Sequence, residues 1–321
     1  VMKDKSPTGS IVINKDGEFL SDRTMIQEHW YDFIFDFFKA PLSGVTFEVY
    51  AAEDIISPDG LDTVYYSKDE HVATIESDEK GTAQIHKLPL GKYYLVETKT
   101  LPAYVLDCKP LEADLSYVDQ DTEVVYAGME ISNERQRVKI TVSKTDAETK
   151  QPIKGAAFGL FAKENILNAN GRVIVSAGER IEKNITGDDG TVTFISDIPI
   201  GQYYVKEIEA PAGYAASDEI FDVDASYKGD KVSFIEYRAE FENEPIRVEF
   251  SKTDDSGETE IEGAELSVID SEGNVVETWT TKAGESHMIT RLPVGNYILR
   301  EESAPYGYRV AGDLEFEVAE T

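Results

Sequence analysis

The residue types that most often perform catalysis or bind metals are few in this sequence and do not cluster. The four histidines, His29, His71, His86 and His287, are scattered without the spacing of a metal site, and no Ser-His-Asp pattern assembles around them. Cys108 is the single cysteine, so no disulfide can form within the chain. The sequence therefore predicts no metal, no cofactor and no enzyme that turns over a substrate.

A lysine, a glutamate and an asparagine instead recur in a fixed order. The lysine ends an alternating apolar segment and precedes Asp or Thr-Asp; the glutamate ends a box that begins Leu/Ile-Pro-x-Gly; the asparagine closes the first two repeats. The lysines are Lys15, Lys144 and Lys252, the glutamates are Glu97, Glu207 and Glu301, and the asparagines are Asn133 and Asn243. Taken singly, such a lysine or asparagine is usually a solvated surface residue. A buried Lys–Glu ion pair is the main alternative for the recurring set.

The segments between these residues indicate short strands. Runs of four to eight residues alternate between apolar and polar types, and turn sequences such as Asp78-Glu-Lys-Gly81 and Gly187-Asp-Asp-Gly190 separate them. Such regularly spaced strands are typical of sandwiches or barrels rather than of βαβ units. We therefore predict an all-β chain of three tandem domains, at residues 1–136, 137–246 and 247–321.

One segment interrupts the first repeat. The insertion at 21–40 is rich in aromatic residues, and Ile26, Trp30, Phe33 and Phe37 would share one face of a helix. Tyr31, Phe33, Phe35 and Phe37 also alternate, as on one face of a strand, but helix is the favoured interpretation. Trp30, Tyr31, Phe33 and Phe37 are candidates for a partner-binding surface, and a cap over a sandwich edge or a domain joint is the more favoured alternative.

The repeats resemble the B-type repeat of the collagen adhesin (Cna B-type), a stalk module of Gram-positive adhesins and pilins. The resemblance rests on the box Gly-x-Tyr-x-x-x-Glu, which Ala-Pro-x-Gly-Tyr follows in the second and third repeats, together with the Lys strand and the closing Asn. It covers nearly the whole chain outside the insertion. It implies immunoglobulin-like sandwiches, each with an intramolecular Lys–Asn isopeptide bond whose formation is assisted by a glutamate.

Carried over by position, the resemblance assigns Lys15, Glu97 and Asn133 to the first bond. It assigns Lys144, Glu207 and Asn243 to the second. Burial would lower the lysine pKa and release the neutral amine, and it would raise the glutamate pKa. The protonated glutamate would then donate a hydrogen bond to the Asn carbonyl oxygen. This is autocatalysis without turnover.

The third repeat departs from this pattern. Lys252 and Glu301 match, but no Asn follows Asn296, so the position of the last strand has no counterpart in the given sequence. We expect no such bond in this repeat and an incomplete sandwich.

The charge limits the partners. The formal net charge of −31 disfavours nucleic acid and anionic membranes, both of which bind clustered basic residues. The resemblance implies an extracellular, cell-wall-attached structural stalk or minor pilin-type protein whose partners are other surface-protein domains or pilin subunits. The alternative is an adhesin region that binds a host protein or glycan through the aromatic insertion.

Overall fold

The computed structural model describes residues 5–26, 32–59, 61–194, 196–254, 257 and 259–319. Every regular element in these ranges is a strand, and the strands form three successive sandwiches, which confirms the predicted all-β tandem architecture. Within the same ranges, no helix has the length and apolar character needed to cross a membrane.

The strands of the first domain are β1 (Thr8–Met25), β2 (Phe33–Pro41), β3 (Thr46–Ala51), β4 (Ile55–Ile56), β5 (Val64–Tyr66), β6 (His71–Glu76), β7 (Thr82–Leu88), β8 (Lys92–Lys99), β9 (Leu111–Asp114) and β10 (Val124–Asn133). Those of the second are β11 (Arg137–Asp146), β12 (Ala157–Ala162), β13 (Ile166–Leu167), β14 (Val173–Val175), β15 (Arg180–Ile185), β16 (Thr191–Phe194), β17 (Gly201–Glu209), β18 (Ile220–Ala225) and β19 (Phe234–Asn243). Those of the third are β20 (Arg247–Phe250), β21 (Glu265–Asp270), β22 (Val275–Thr280), β23 (His287–Thr290), β24 (Gly295–Ser303) and β25 (Leu314–Val318).

Each sandwich packs a four-stranded sheet against a second sheet that holds the first strand. The four-stranded sheets have the orders β6-β3-β8-β9, β15-β12-β17-β18 and β22-β21-β24-β25. In the first two domains the opposing sheet pairs the first strand with the last in parallel, β1 with β10 and β11 with β19. Alternating side chains from both sheets meet in a core, as at Ile11, Ile13 and Phe47 in the first domain. In the third domain the described strands opposing the large sheet are β20 and β23.

The aromatic insertion is a β-hairpin, so the favoured helix is wrong. Strand β1 continues past Lys15 to Met25. Its residues 16–25 pair antiparallel with β2, with a register shift between Leu20 and Asp22. Residues at alternate positions, Phe33 and Phe35, are buried on one face of β2, with their rings 5.4 Å apart edge to face. The segment forms a strand rather than a helix because the face that carries these alternate aromatic residues packs on another domain.

The hairpin belongs to the first domain in sequence but packs on the second. Phe33, which is fully buried, and Phe35 join the hydrophobic core of the second domain. Arg180 holds the Asp32 carboxylate through Nε at 2.6 Å and Nη2 at 2.9 Å. The backbone N–H of Ala169 donates to the Leu20 carbonyl at 2.9 Å. The insertion therefore covers the joint between the first and second domains. This agrees with the favoured alternative to a partner-binding surface, a cap over a domain joint.

Candidate isopeptide sites

Strand register brings the repeated lysine and asparagine to one face of the same sheet. In the parallel pair β1–β10, Lys15 lies opposite Ile131, and Asn133 comes two residues later. The pair β11–β19 places Lys144 opposite Phe241 in the same way, with Asn243 two residues later. Because side chains two residues apart on a strand share a face, each asparagine points into the sandwich beside its lysine.

The first site is a buried cluster of three polar side chains. Lys15, Glu97 and Asn133 are each at most 2% exposed. Lys15 Nζ donates to Asn133 Oδ1 at 2.5 Å and lies 3.0 Å from Glu97 Oε2. Asn133 Nδ2 donates to Glu97 Oε1 at 2.5 Å and to Thr100 Oγ1 at 2.7 Å. The ring of Phe47, whose centroid is 6.0 Å from Nζ, forms part of the apolar wall.

The second site repeats this geometry. Lys144 Nζ donates to Asn243 Oδ1 at 2.5 Å and lies 3.5 Å from Glu207 Oε1. Asn243 Nδ2 donates to Glu207 Oε1 and Oε2 at 3.0 and 3.1 Å. The rings of Phe158 and Phe241 lie 5.8 and 5.7 Å from Nζ. Two triads of the same composition thus have the same connectivity.

Burial shifts the ionisation of these groups toward their neutral forms. Desolvation lowers the pKa of Lys15 and of Lys144, and the attraction of the neighbouring glutamates opposes this without overcoming it. Desolvation also raises the pKa of Glu97, against the opposing hydrogen bond from Asn133 and the charge of Lys15. In the first site both shifts favour a neutral amine beside a protonated carboxyl group.

Both glutamates lie beside the lysine and the asparagine, as expected, but their hydrogen bond to the asparagine differs from the predicted one. The expected hydrogen bond from a protonated glutamate to the Asn carbonyl oxygen is replaced by one from the Asn amide nitrogen to the carboxylate, at both Glu97 and Glu207. In the ionised pair, before any proton moves, the lysine ammonium can only donate, so it occupies the amide oxygen, and the amide NH₂ is left for the carboxylate. Glu97 consequently contacts both Lys15 Nζ and Asn133 Nδ2.

The third site holds only a pair. Lys252 Nζ lies 3.5 Å from Glu301 Oε2, and the lysine side chain is 22% exposed, whereas the other two are fully buried. Glu301 Oε1 is buried with no hydrogen-bond partner in the structure. Leu266 pairs with Glu301 in the sheet where Phe47 and Phe158 pair with the other glutamates. Of the two asparagines in this domain, Asn274 bonds to Asp270 and Asn296 lies on β24 opposite Glu317.

Two of the four candidate residues of the partner surface pack on the second domain. Phe33 is buried in the second domain, and Phe37 packs against the same core with the Arg135 guanidinium 3.6 Å from its ring centroid. These two rings do not form an exposed surface, because the hairpin packs on the second domain. Trp30 and Tyr31 lie outside the described residues. Thr100 was not among the predicted site residues. Its signal in the sequence is a hydroxyl three residues after Glu97, where the second repeat has Ala210.

The family model of the SpaA prealbumin-like fold domain matches three stretches of the chain, residues 38–129, 138–237 and 246–321. The chain belongs to the SpaA family of prealbumin-like fold domains. It is 23% identical over 122 residues to the trypsin-resistant surface T6 protein of Streptococcus pyogenes serotype M6, a match that covers 38% of this chain and 18% of T6.

Two solved structures are similar to this chain, and the first of them supports the same fold. The TIE protein of Bacillus anthracis is similar with a TM-score of 0.56 and 23% identity, over 98% of this chain and 49% of that one. BcpA, the major pilin subunit of Bacillus cereus, has a TM-score of 0.42 and 14% identity, over 97% of this chain and 95% of its own. The chain thus spans less than half the length of the T6 and TIE proteins that it matches.

Proposed function

We propose that this chain forms part of the stalk of a bacterial surface or minor pilin-type protein, and that its first two domains each form one Lys–Asn isopeptide bond. The two buried triads carry this proposal, because a lysine, a glutamate and an asparagine meet twice in one geometry inside an apolar core. Membership of a family whose relatives include a surface protein supports it. We further propose an extracellular, cell-wall-attached location and pilin subunits or other surface domains as partners.

The bond forms between Lys15 Nζ and Asn133 Cγ, and the bond from Cγ to Nδ2 breaks. Lys15 first transfers a proton to Glu97, 3.0 Å away, which frees the lone pair for attack on Cγ. The nitrogen that has attacked loses a second proton, Nδ2 gains one, and ammonia leaves. Glu97 can relay this proton because its two oxygens lie beside both nitrogens. Folding supplies the alignment, which is worth up to about 7 to 11 kcal/mol of barrier in well-oriented reactions.

Intact mass of the denatured chain tests the proposal. Each bond expels one ammonia, about 17 Da, so the wild-type chain should be two ammonias lighter than its sequence mass. Glu97→Ala and Glu207→Ala should each restore one ammonia, and the double variant should restore both. Peptide mapping should locate the links at Lys15–Asn133 and Lys144–Asn243.

Glu301→Ala is the matched control, since Lys252 and Glu301 have no asparagine beside them, and its deficit should equal that of the wild-type chain. A wild-type mass equal to the sequence mass would reduce both triads to buried ion pairs with hydrogen-bonded amides. A deficit of three ammonias would show that the third domain bonds as well.

A further inference from the structure

The residue directly before the Leu/Ile-Pro box occupies the end of each domain that faces the preceding domain. This residue, here called the joint residue, is Lys87 in the first domain, Asp197 in the second and Arg291 in the third. In the second and third domains, it makes a charged contact across the joint. The charge at this one position is therefore matched by the neighbour in both joints.

In the joint between the second and third domains, Arg291 reaches back to a carboxylate and a tyrosine. Its Nη2 donates to Asp146 Oδ2 at 2.7 Å and its Nε donates to Tyr214 Oη at 2.9 Å. The domains touch closely, because a Cβ at Gly213 would lie 2.5 Å from the Arg291 carbonyl oxygen. The Ile246 N–H donates to the Gly213 carbonyl at 2.9 Å and fixes the linker.

The joint between the first and second domains uses the opposite charge. Asp197 pairs with Arg135 of the preceding domain, and Arg135 is only 6% exposed. Arg135 Nε also lies 3.1 Å from Glu18. An acidic joint residue thus meets a cation, as a basic joint residue meets an anion in the other joint.

Lys87 resembles the joint residue Arg291 in its backbone conformation and charge, but it has no charged contact of this kind with a described residue. Its φ of 61° equals that of Arg291, so the backbone adopts the same left-handed conformation at both positions. Its side chain is exposed and forms no ion pair with any described residue. In a chain with 62 acidic and 31 basic residues, an unpaired cation at a domain end favours an anionic partner.

An apolar groove of about 430 Å³ lies beside Lys87. Its lining includes Ile56, Tyr65, Pro89, Leu90 and Tyr117. Ile56, Tyr65 and Tyr117 are 48%, 47% and 57% exposed. In the third domain the corresponding Pro293 and Val294 line a cavity of about 450 Å³ together with the Ala210–Tyr214 turn of the second domain.

We propose that this end of the first domain is a docking face for the end of another prealbumin-like domain that presents a carboxylate and a tyrosine, as Asp146 and Tyr214 do. The carboxylate pairs with Lys87, and the turn that carries the tyrosine covers Pro89 and Leu90. Charge complementarity and continuity with the two internal joints select this occupant over an uncharged peptide.

A fused chain provides the test. A copy of residues 5–244 is joined through its Glu244 to Pro7 of the full chain. This places Lys15 ten residues after Asn243 of the copy, between the spacing of 11 from Asn133 to Lys144 and that of 9 from Asn243 to Lys252. The copy includes the hairpin, so its second domain keeps Phe33 and Phe35. Carbodiimide, which joins an amine and a carboxylate only when they touch, should link Lys87 to Asp146 of the copy. Small-angle scattering should show one extended rigid particle.

Lys87→Glu should abolish the cross-link and convert the scattering to that of two bodies moving independently. Lys80→Glu, the same charge change at an exposed residue outside the groove, should leave the rigid particle intact. Circular dichroism of each fused chain checks folding. Links from Asp146 of the copy distributed equally over Lys80 and Lys87, or equal flexibility in all three chains, would overturn the proposal, and binding of an unrelated ligand would then be the remaining role for the groove.

Discussion

Thr100 distinguishes the first site from the second at the scale of single residues. Thr100 is 7% exposed, and its hydroxyl accepts a hydrogen bond from Asn133 Nδ2 and helps to hold the amide with its oxygen toward Lys15. Losing one such bond costs about 1 kcal/mol, so Thr100→Ala should slow formation of the first link about five-fold. Intact mass at intervals during cell-free synthesis would measure this rate.

The second link is an internal reference for that experiment, because the corresponding residue there is Ala210. Its rate should be unchanged in the Thr100→Ala chain. Thr100→Ser keeps the hydroxyl and should restore the first link to near the wild-type rate. Equal rates in Thr100→Ala and wild-type chains would show that the apolar walls alone hold the amide.

Asp146 makes the joint between the second and third domains sensitive to acid. Hydrogen bonds from the Thr149 backbone, then the Arg291 guanidinium and the Tyr214 hydroxyl, lower the pKa of this carboxyl to about 2 from its usual 3.8. Because the folded-state pKa is the lower one, the stabilisation is complete above the usual value and is lost as pH falls through about 2.

Asp146→Asn should therefore lower the stability of the chain by about 2 kcal/mol at neutral pH, and the difference from wild type should shrink as pH falls from about 4 to about 2. Thermal unfolding over that pH series measures it. Asp188→Asn, at a carboxylate that is 87% exposed, is the control and should show no comparable pH-dependent difference.

At the scale of elements, the β1–β2 hairpin links the stability of two domains. Phe33 belongs to the first domain and is fully buried in the core of the second. Phe33→Ala should cost about 3 to 5 kcal/mol and should accelerate hydrogen exchange in β12 and β15 of the second domain. Phe38→Ala, at a ring on the same strand that is 45% exposed, should have a much smaller effect. Exchange accelerated in the first domain alone would contradict the hairpin's place in the second core.

The sequence predicted the strands and the two triads, because alternation and repeated motifs report local periodicity and shared topology. The hairpin escaped prediction for a physical reason. Ile26, Trp30, Phe33 and Phe37 fit a helical face as well as Phe33, Phe35 and Phe37 fit a strand, and only packing on another domain separates the two. The same limit hid the pairing of Arg135 with Asp197, since the partners belong to different repeats.

At the scale of the whole molecule, the proposed links determine how the chain responds to tension. They join residues 118 and 99 positions apart, so tension passes through the links and the intervening strands cannot extend. In single-molecule pulling, the wild-type chain should show no unfolding step from either domain. Glu97→Ala should add a step of up to about 400 Å, the contour length of the released segment. Such a step in the wild-type chain would contradict the first link.

The parallel pairing of β1 with β10 has a further consequence once Lys15 and Asn133 are joined. The backbone between them, together with the two side chains, becomes a covalent ring that contains the hairpin and the loops of the first domain. A protease that cleaves one peptide bond on this ring leaves both new ends attached to the same molecule. Two cleavages are needed to release a fragment, so a chain that is cut once in this ring remains in one piece.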